Sequence, residues 1–169
     1  MKNVLVVVDM QNDFIDGSLG TPEARAIVDG VVERVKSFVG KVIFTRDTHG
    51  EDYMSTQEGR LLPIRHCISG TWGHEIHDSL LPYVKSLIDK PTFGSLKLSE
   101  MLSRYADEIE TVTLIGLCTD VCVISNAMLL KAALPEASIR VEAGLCAGVT
   151  PESHSNALAA MRACQISVI

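Results

Sequence analysis

The chain has 169 residues, 47% of them apolar and 21% charged, with a net charge of −6, which suits one domain over residues 1–169 that buries roughly 70% of the surface its unfolded chain would expose. An acidic chain with no basic run longer than two residues lacks the clustered Lys and Arg of a nucleic-acid footprint. The apolar run at residues 4–8 stops at Asp9, well short of the about 20 residues of a membrane span and too short for a signal peptide, so a cytoplasmic protein with no membrane partner is expected.

In chain order, residues 3–8 (NVLVVV) read as a buried strand. Residues 22–38 space Ala26, Ile27, Val31, Val32, Val35 and Phe38 as a helix does, with Pro22 in the first turn and Thr21 as N-cap. Residues 41–45 (KVIFT) form a second strand. Residues 46–75 carry His, Gly and charge without periodicity, and a stretch of that length points to function. Residues 84–89 (VKSLID) read as a short third strand and 95–105 as a helix. Residues 111–116 (TVTLIG) give a fourth strand, 120–133 a helix, 138–142 a strand, 151–163 a helix and 165–169 a last strand. Alternating strands and helices imply right-handed crossovers. The expected fold is therefore α/β: a three-layer α/β/α sandwich around a doubly wound, mostly parallel sheet of about six strands. Its uniformly apolar strands fit burial on both faces. Ligands bind such sheets beyond the strands' carboxyl ends. A nucleotide-binding reading of the same layout lacks support, because no Gly-rich phosphate loop follows the first strand.

Each strand is followed by a residue with chemistry. Asp9 follows the first, Asp47 and His49 the second, Lys90 the third and Cys122 the fourth. The five cysteines, Cys67, Cys118, Cys122, Cys146 and Cys164, are odd in number and scattered, so free thiols are expected, most of them small buried hydrophobes. Cys122 stands apart because Thr119 or Asp120 can cap the helix that follows, which puts the sulfur near a helix start whose dipole and spare N–H groups favour a thiolate. Asp9 reads either as a turn cap or as a functional carboxylate, and Lys90 as a surface cation or a buried one. Asp47, His49 and, 17 positions on, His66 fit a three-ligand metal site or a polar loop with unrelated histidines. His74, His77 and His154 show no such arrangement and read as surface residues.

These segments resemble the isochorismatase-like cysteine hydrolases, and within them the nicotinamidase/pyrazinamidase branch, over nearly the whole chain. DMQNDFIDGSL at 9–19 is similar to the family's acid/base motif, DKPTFGS at 89–95 to its lysine motif and GLCTDVCV at 116–123 to its nucleophile motif. The resemblance implies Asp9 as acid/base, Lys90 as supporting cation and Cys122 as nucleophile. It also implies a cis peptide before Cys118 and an oxyanion hole made by the backbone N–H groups of Cys118 and Cys122. TRDTH at 45–49 and LPIRHCISGTWG at 62–73 resemble the branch's metal segments, which implies a divalent ion, zinc with iron or manganese as alternatives, on Asp47, His49 and His66, joined by Glu58. Leu62 stands where the branch often has an aromatic residue, and no Pro follows His49. The expected reaction is hydrolysis of a small carboxamide, nicotinamide first, with Phe14 packing on the ring and Phe93 as a second candidate contact. A homo-oligomer, dimer or tetramer, is implied. The competing readings are a relative acting on a carbamoyl or isochorismate-type substrate, and a non-catalytic binding protein that keeps the fold.

Overall fold

A computed structural model describes residues 2–169. The first strand, β1 (Asn3–Val8), is apolar from its second residue and buried there on both faces. α1 (Asn12–Ile15) and α2 (Pro22–Ser37) follow. The Thr21 side chain accepts the Ala24 N–H, as the sequence predicts for an N-cap. Then come β2 (Lys41–Asp47), α3 (Gln57–Leu61), β3 (Leu87–Lys90) and α4 (Leu96–Ser103). β4 (Thr111–Leu117) leads through a π-helical turn over Thr119–Val123 into α5 (Ile124–Ala133). β5 (Ser138–Ala147), α6 (Pro151–Ala163) and β6 (Ser167–Val168) complete the chain.

The six strands form one sheet in the order β3-β2-β1-β4-β5-β6 with every pairing parallel. Strand side chains alternate between faces. Val4, Val6 and Val8 accordingly meet Leu98 and Leu102 of α4, Leu130 of α5 and Met161 of α6. Leu5 and Val7 meet Ile27, Val28 and Val31 of α2 with Phe14 of α1. The three-layer, doubly wound expectation therefore holds, and the sheet is wholly rather than mostly parallel. The strand order reverses at β1, so the carboxyl ends of β1 and β4 open a crevice between them. Gly116 lies at φ +112°, and a side chain there would strike the Val8 carbonyl. Among the described residues no helix is long and apolar enough to cross a membrane.

Several boundaries differ from the sequence reading. The third strand starts at Leu87 rather than at 84, because a 3-10 turn over Leu81–Tyr83 occupies the approach, and it therefore includes Lys90. β2 runs on to Asp47, and β5 is ten residues long with a bulge against β4. The long segment after β2 holds short helical turns at Tyr53–Ser55 and Trp72–His74 besides α3. His74 is only 3% exposed, which corrects its surface assignment. Its ring contacts the Thr48 hydroxyl at 2.9 Å, and its carbonyl is taken by Gln11. His154 is half-buried, with Nδ1 at 2.8 Å from the Thr119 hydroxyl. His77 is also half-buried, within 3.5 Å of Asp16.

Candidate active site

Asp9 leaves β1 at φ +46°, a left-handed conformation that costs a non-glycine residue roughly 1–2 kcal/mol. That turn takes the backbone out of the sheet and leaves the carboxylate in the crevice, with no exposed surface. Its Oδ1 accepts from the Thr45 hydroxyl at 2.7 Å, and its Oδ2 lies 2.6 Å from Lys90 Nζ. Lys90, the last residue of β3 and 1% exposed, also places Nζ 3.2 Å from Asp47 Oδ1 and 3.4 Å from Cys122 Sγ, and donates to the Thr92 carbonyl at 3.0 Å. One ammonium thus gathers a thiol and two carboxylates that the sequence holds far apart.

Burial pushes the Asp9 carboxyl above the usual carboxylate range, against the pull of Lys90. Burial also pushes the Lys90 ammonium down, but Asp9, Cys122 and Asp47 outweigh it and hold it above its ordinary value. Burial and then Asp9 push the Cys122 thiol well up, with Lys90 opposing. Desolvation of the buried sulfur thus opposes the ionisation that a helix start alone would favour.

Cys122 sits within the π-helical turn, and the peptide between Leu117 and Cys118 that leads into the turn is cis. The expected side-chain cap is not formed. Thr119 bonds to His154, and Asp120 accepts the Val149 N–H at 3.1 Å. The Cys118 carbonyl instead takes the N–H groups of Val121 and Val123. Asn126, unremarked in the sequence, ties this turn to the lysine segment. It donates to the Cys122 and Phe93 carbonyls at 2.8 and 3.1 Å and accepts the Ser95 N–H at 2.9 Å.

Asp47, His49, Glu58 and His66 converge with their ligand atoms within 4.8 Å of one another. His49 Nε2 lies 2.9 Å from Asp47 Oδ2 and 3.5 Å from Glu58 Oε1, and His66 Nε2 lies 3.5 Å from Asp47 Oδ2. His66 Nδ1 lies 2.8 Å from the Ile64 carbonyl; donation there leaves Nε2 as the free lone pair facing the cluster. Tyr53 packs beside both rings. The Glu58 Oε1 atom is buried without a hydrogen-bond partner. An orphaned carboxylate oxygen beside two imidazoles and a second carboxylate is a donor set suited to a divalent transition metal. Burial pushes Asp47 up, but His49, His66 and Lys90 outweigh it and hold the carboxyl well below its usual range.

A pocket of about 130 Å³ opens onto these groups, lined by Phe14, Leu19, Leu62, Val121 and Val149 together with Cys118, Cys122 and His66. Phe14 stacks at a tilt on His66, 5.7 Å between centroids. Phe93 is 40% exposed and lines a separate groove with Leu96, Met128 and Leu129. The ring thus lies outside the pocket that holds Cys122, and the Phe93 carbonyl accepts from Asn126.

The isochorismatase domain profile matches residues 3–169. The nicotinamidase/pyrazinamidase of Mycobacterium tuberculosis is 29% identical over 98% of this chain and 97% of its own length. A crystal structure of the nicotinamidase/pyrazinamidase from Bacillus subtilis superposes with a TM-score of 0.84 at 30% identity, covering 99% of each chain. The pyrazinamidase of Pyrococcus horikoshii in complex with zinc gives 0.83 at 26% identity, over 100% of this chain and 99% of that one. With a domain match over nearly its full length and relatives that align end to end, this chain belongs to the isochorismatase family.

Proposed function

We propose that the protein hydrolyses nicotinamide to nicotinate and ammonia. The observation that carries this reading is that His66 belongs both to the candidate metal cluster and to the pocket wall that contains Cys122. A small ring amide can therefore reach the cluster with its ring and the sulfur with its carboxamide, a positioning effect. The pocket lining offers no Lys or Arg, so a neutral amide fits it better than an anionic carbamoyl or isochorismate-type substrate. The names of the relatives from M. tuberculosis and B. subtilis support the same choice.

In this reading Asp9 takes the proton from Cys122 Sγ, and its raised affinity for protons suits that role. Lys90 stabilises both the thiolate and the carboxylate as charge moves between them. The thiolate attacks the amide carbon. The backbone N–H groups of Cys118 and Cys122 hold the oxyanion, where one such donor is typically worth about 3–4 kcal/mol. Asp9 returns the proton to the amide nitrogen, the C–N bond breaks, and ammonia leaves a thioester on Cys122. Asp9 then draws a proton from water as it attacks the thioester, and the sulfur recovers that proton when the C–S bond breaks. Phe14 packs against the bound ring. A divalent ion, zinc by analogy with the P. horikoshii relative, held by Asp47, His49, Glu58 and His66, would supply an electrophilic anchor for the ring nitrogen. The activity is placed in the cytoplasm, in keeping with five free thiols, and a homo-oligomer is expected by size-exclusion chromatography with light scattering.

The test is ammonia release from nicotinamide, pyrazinamide and an anionic carbamoyl compound, with metal content measured on the same sample. Turnover of the ring amides, lost on chelation and restored by zinc, is the expected result. Turnover of the carbamoyl compound alone would overturn the substrate, and full activity in verified metal-free protein would overturn the role of the cluster.

A further inference from the structure

Gln11 has no exposed surface, and both ends of its amide are engaged. Its Oε1 accepts the Asp47 N–H at 2.7 Å, while its Nε2 donates to the Asp47 and His74 carbonyls, both at 2.8 Å. Nothing in the proposed chemistry uses this side chain.

The backbone explains its position. The β1–β2 ladder runs as far as Val8 opposite Thr45, and the Asp9 N–H makes the last bond, to the Thr45 carbonyl at 3.2 Å. Beyond it the left-handed Asp9 turns the chain away, and the Gln11 N–H is already taken by the Asp9 carbonyl. Asp47 would then face β1 with a donor and an acceptor unpaired. A primary amide offers one acceptor and two donors, so the Gln11 side chain takes the place of the missing peptide. On its other side Asp47 pairs in register with Lys90 on β3, and the Thr48 N–H bonds to the Lys90 carbonyl. The Asp47 backbone is therefore held from both flanks, while its carboxylate is divided between Lys90 on Oδ1 and the two histidines on Oδ2.

We propose that Gln11 is a positioning residue for the metal centre: by acting as a surrogate peptide against Asp47 it fixes the backbone from which that ligand projects, and so sets the affinity of the Asp47–His49–Glu58–His66 cluster for a divalent ion. The inference rests on reading that cluster as a metal site. Partners that orient a ligand from outside the coordination sphere typically change metal affinity by about 10–100-fold when removed.

Zinc titrated calorimetrically into chelator-stripped protein tests this. Gln11→Met keeps the volume and removes both polar ends. Gln11→Asn keeps the neutral amide and shortens its reach by one methylene, which supplies a milder variant. Leu98→Ala removes a fully buried side chain in the opposite layer and controls for general destabilisation. Zinc Kd is expected to rise about 10–100-fold in Gln11→Met and less in Gln11→Asn, with Leu98→Ala melting earlier at unchanged Kd. Wild-type Kd in either folded Gln11 variant overturns the positioning role. Failure of the wild-type protein to bind zinc overturns the metal reading itself.

Discussion

Replacing Lys90 by methionine tests whether the centre of the site is ionic. The change keeps most of the side-chain volume and removes the ammonium that lies 2.6 Å from a carboxylate with no exposed surface. Stripping one partner from a buried ion pair costs about 3–5 kcal/mol. Protonation of Asp9 sets the ceiling: at about 1.4 kcal/mol per pH unit, placing a proton at pH 7.5 on a carboxyl whose unfolded pKa is about 3.9 costs about 5 kcal/mol. The sign follows from burial, which holds the folded carboxyl above its unfolded value even against Lys90 and raises it further once the ammonium no longer opposes it. Between the two values the native variant binds more protons than its unfolded chain, so its stability falls as pH rises. Relative to wild type, the deficit of Lys90→Met should therefore shrink as pH falls, to at most roughly 2 kcal/mol at pH 5.5, and be gone by about pH 4. Urea unfolding of chelator-stripped wild type and variant at several pH values measures it. A deficit below about 1 kcal/mol at pH 7.5, or one that does not change with pH, would mean that Asp9 is already protonated beside Lys90 and would refute the ion pair.

Cys122→Ala should abolish ammonia release without lowering the melting temperature, whereas Cys118→Ala should keep substantial activity, because only its backbone is used; a dead Cys118→Ala enzyme would mean the wrong thiol was chosen. Phe14→Ala should raise KM by about 3–10-fold through loss of a ring contact worth about 0.5–1.5 kcal/mol, and Phe93→Ala should leave KM unchanged; steady-state kinetics separates the two, and the reverse pattern would show that substrate uses the other groove. Asn126→Leu should destabilise the fold by about 2–4 kcal/mol in urea, since it strands the Ser95 N–H and the Phe93 and Cys122 carbonyls in buried or half-buried surroundings.

The sequence by itself determined the layer order and the edge of the sheet that carries the chemistry. Alternating apolar strands and helices force parallel pairing, and a parallel sheet delivers every strand's carboxyl end to one side. Asp9, Asp47, Lys90 and Cys122 therefore belong to one crevice whatever the boundaries. The sequence also indicated Glu58 beside His49 and His66, by resemblance. Only the tertiary structure decided how these groups share charge. The Asp47–Lys90 register sets one ammonium among Asp9, Asp47 and Cys122, and full burial opposes the ionisation of the sulfur that a local helix argument favoured. Phe14 and Phe93 look alike as letters, and only packing sends one to the pocket and the other to a separate groove. Gln11, Asn126 and His74 carried no signal, because a buried amide or imidazole is recognised by the polar groups it satisfies, and most of those lie tens of residues away along the chain. Local pattern reports which face of an element is apolar; desolvation and long-range pairing exist only once the chain has closed on itself.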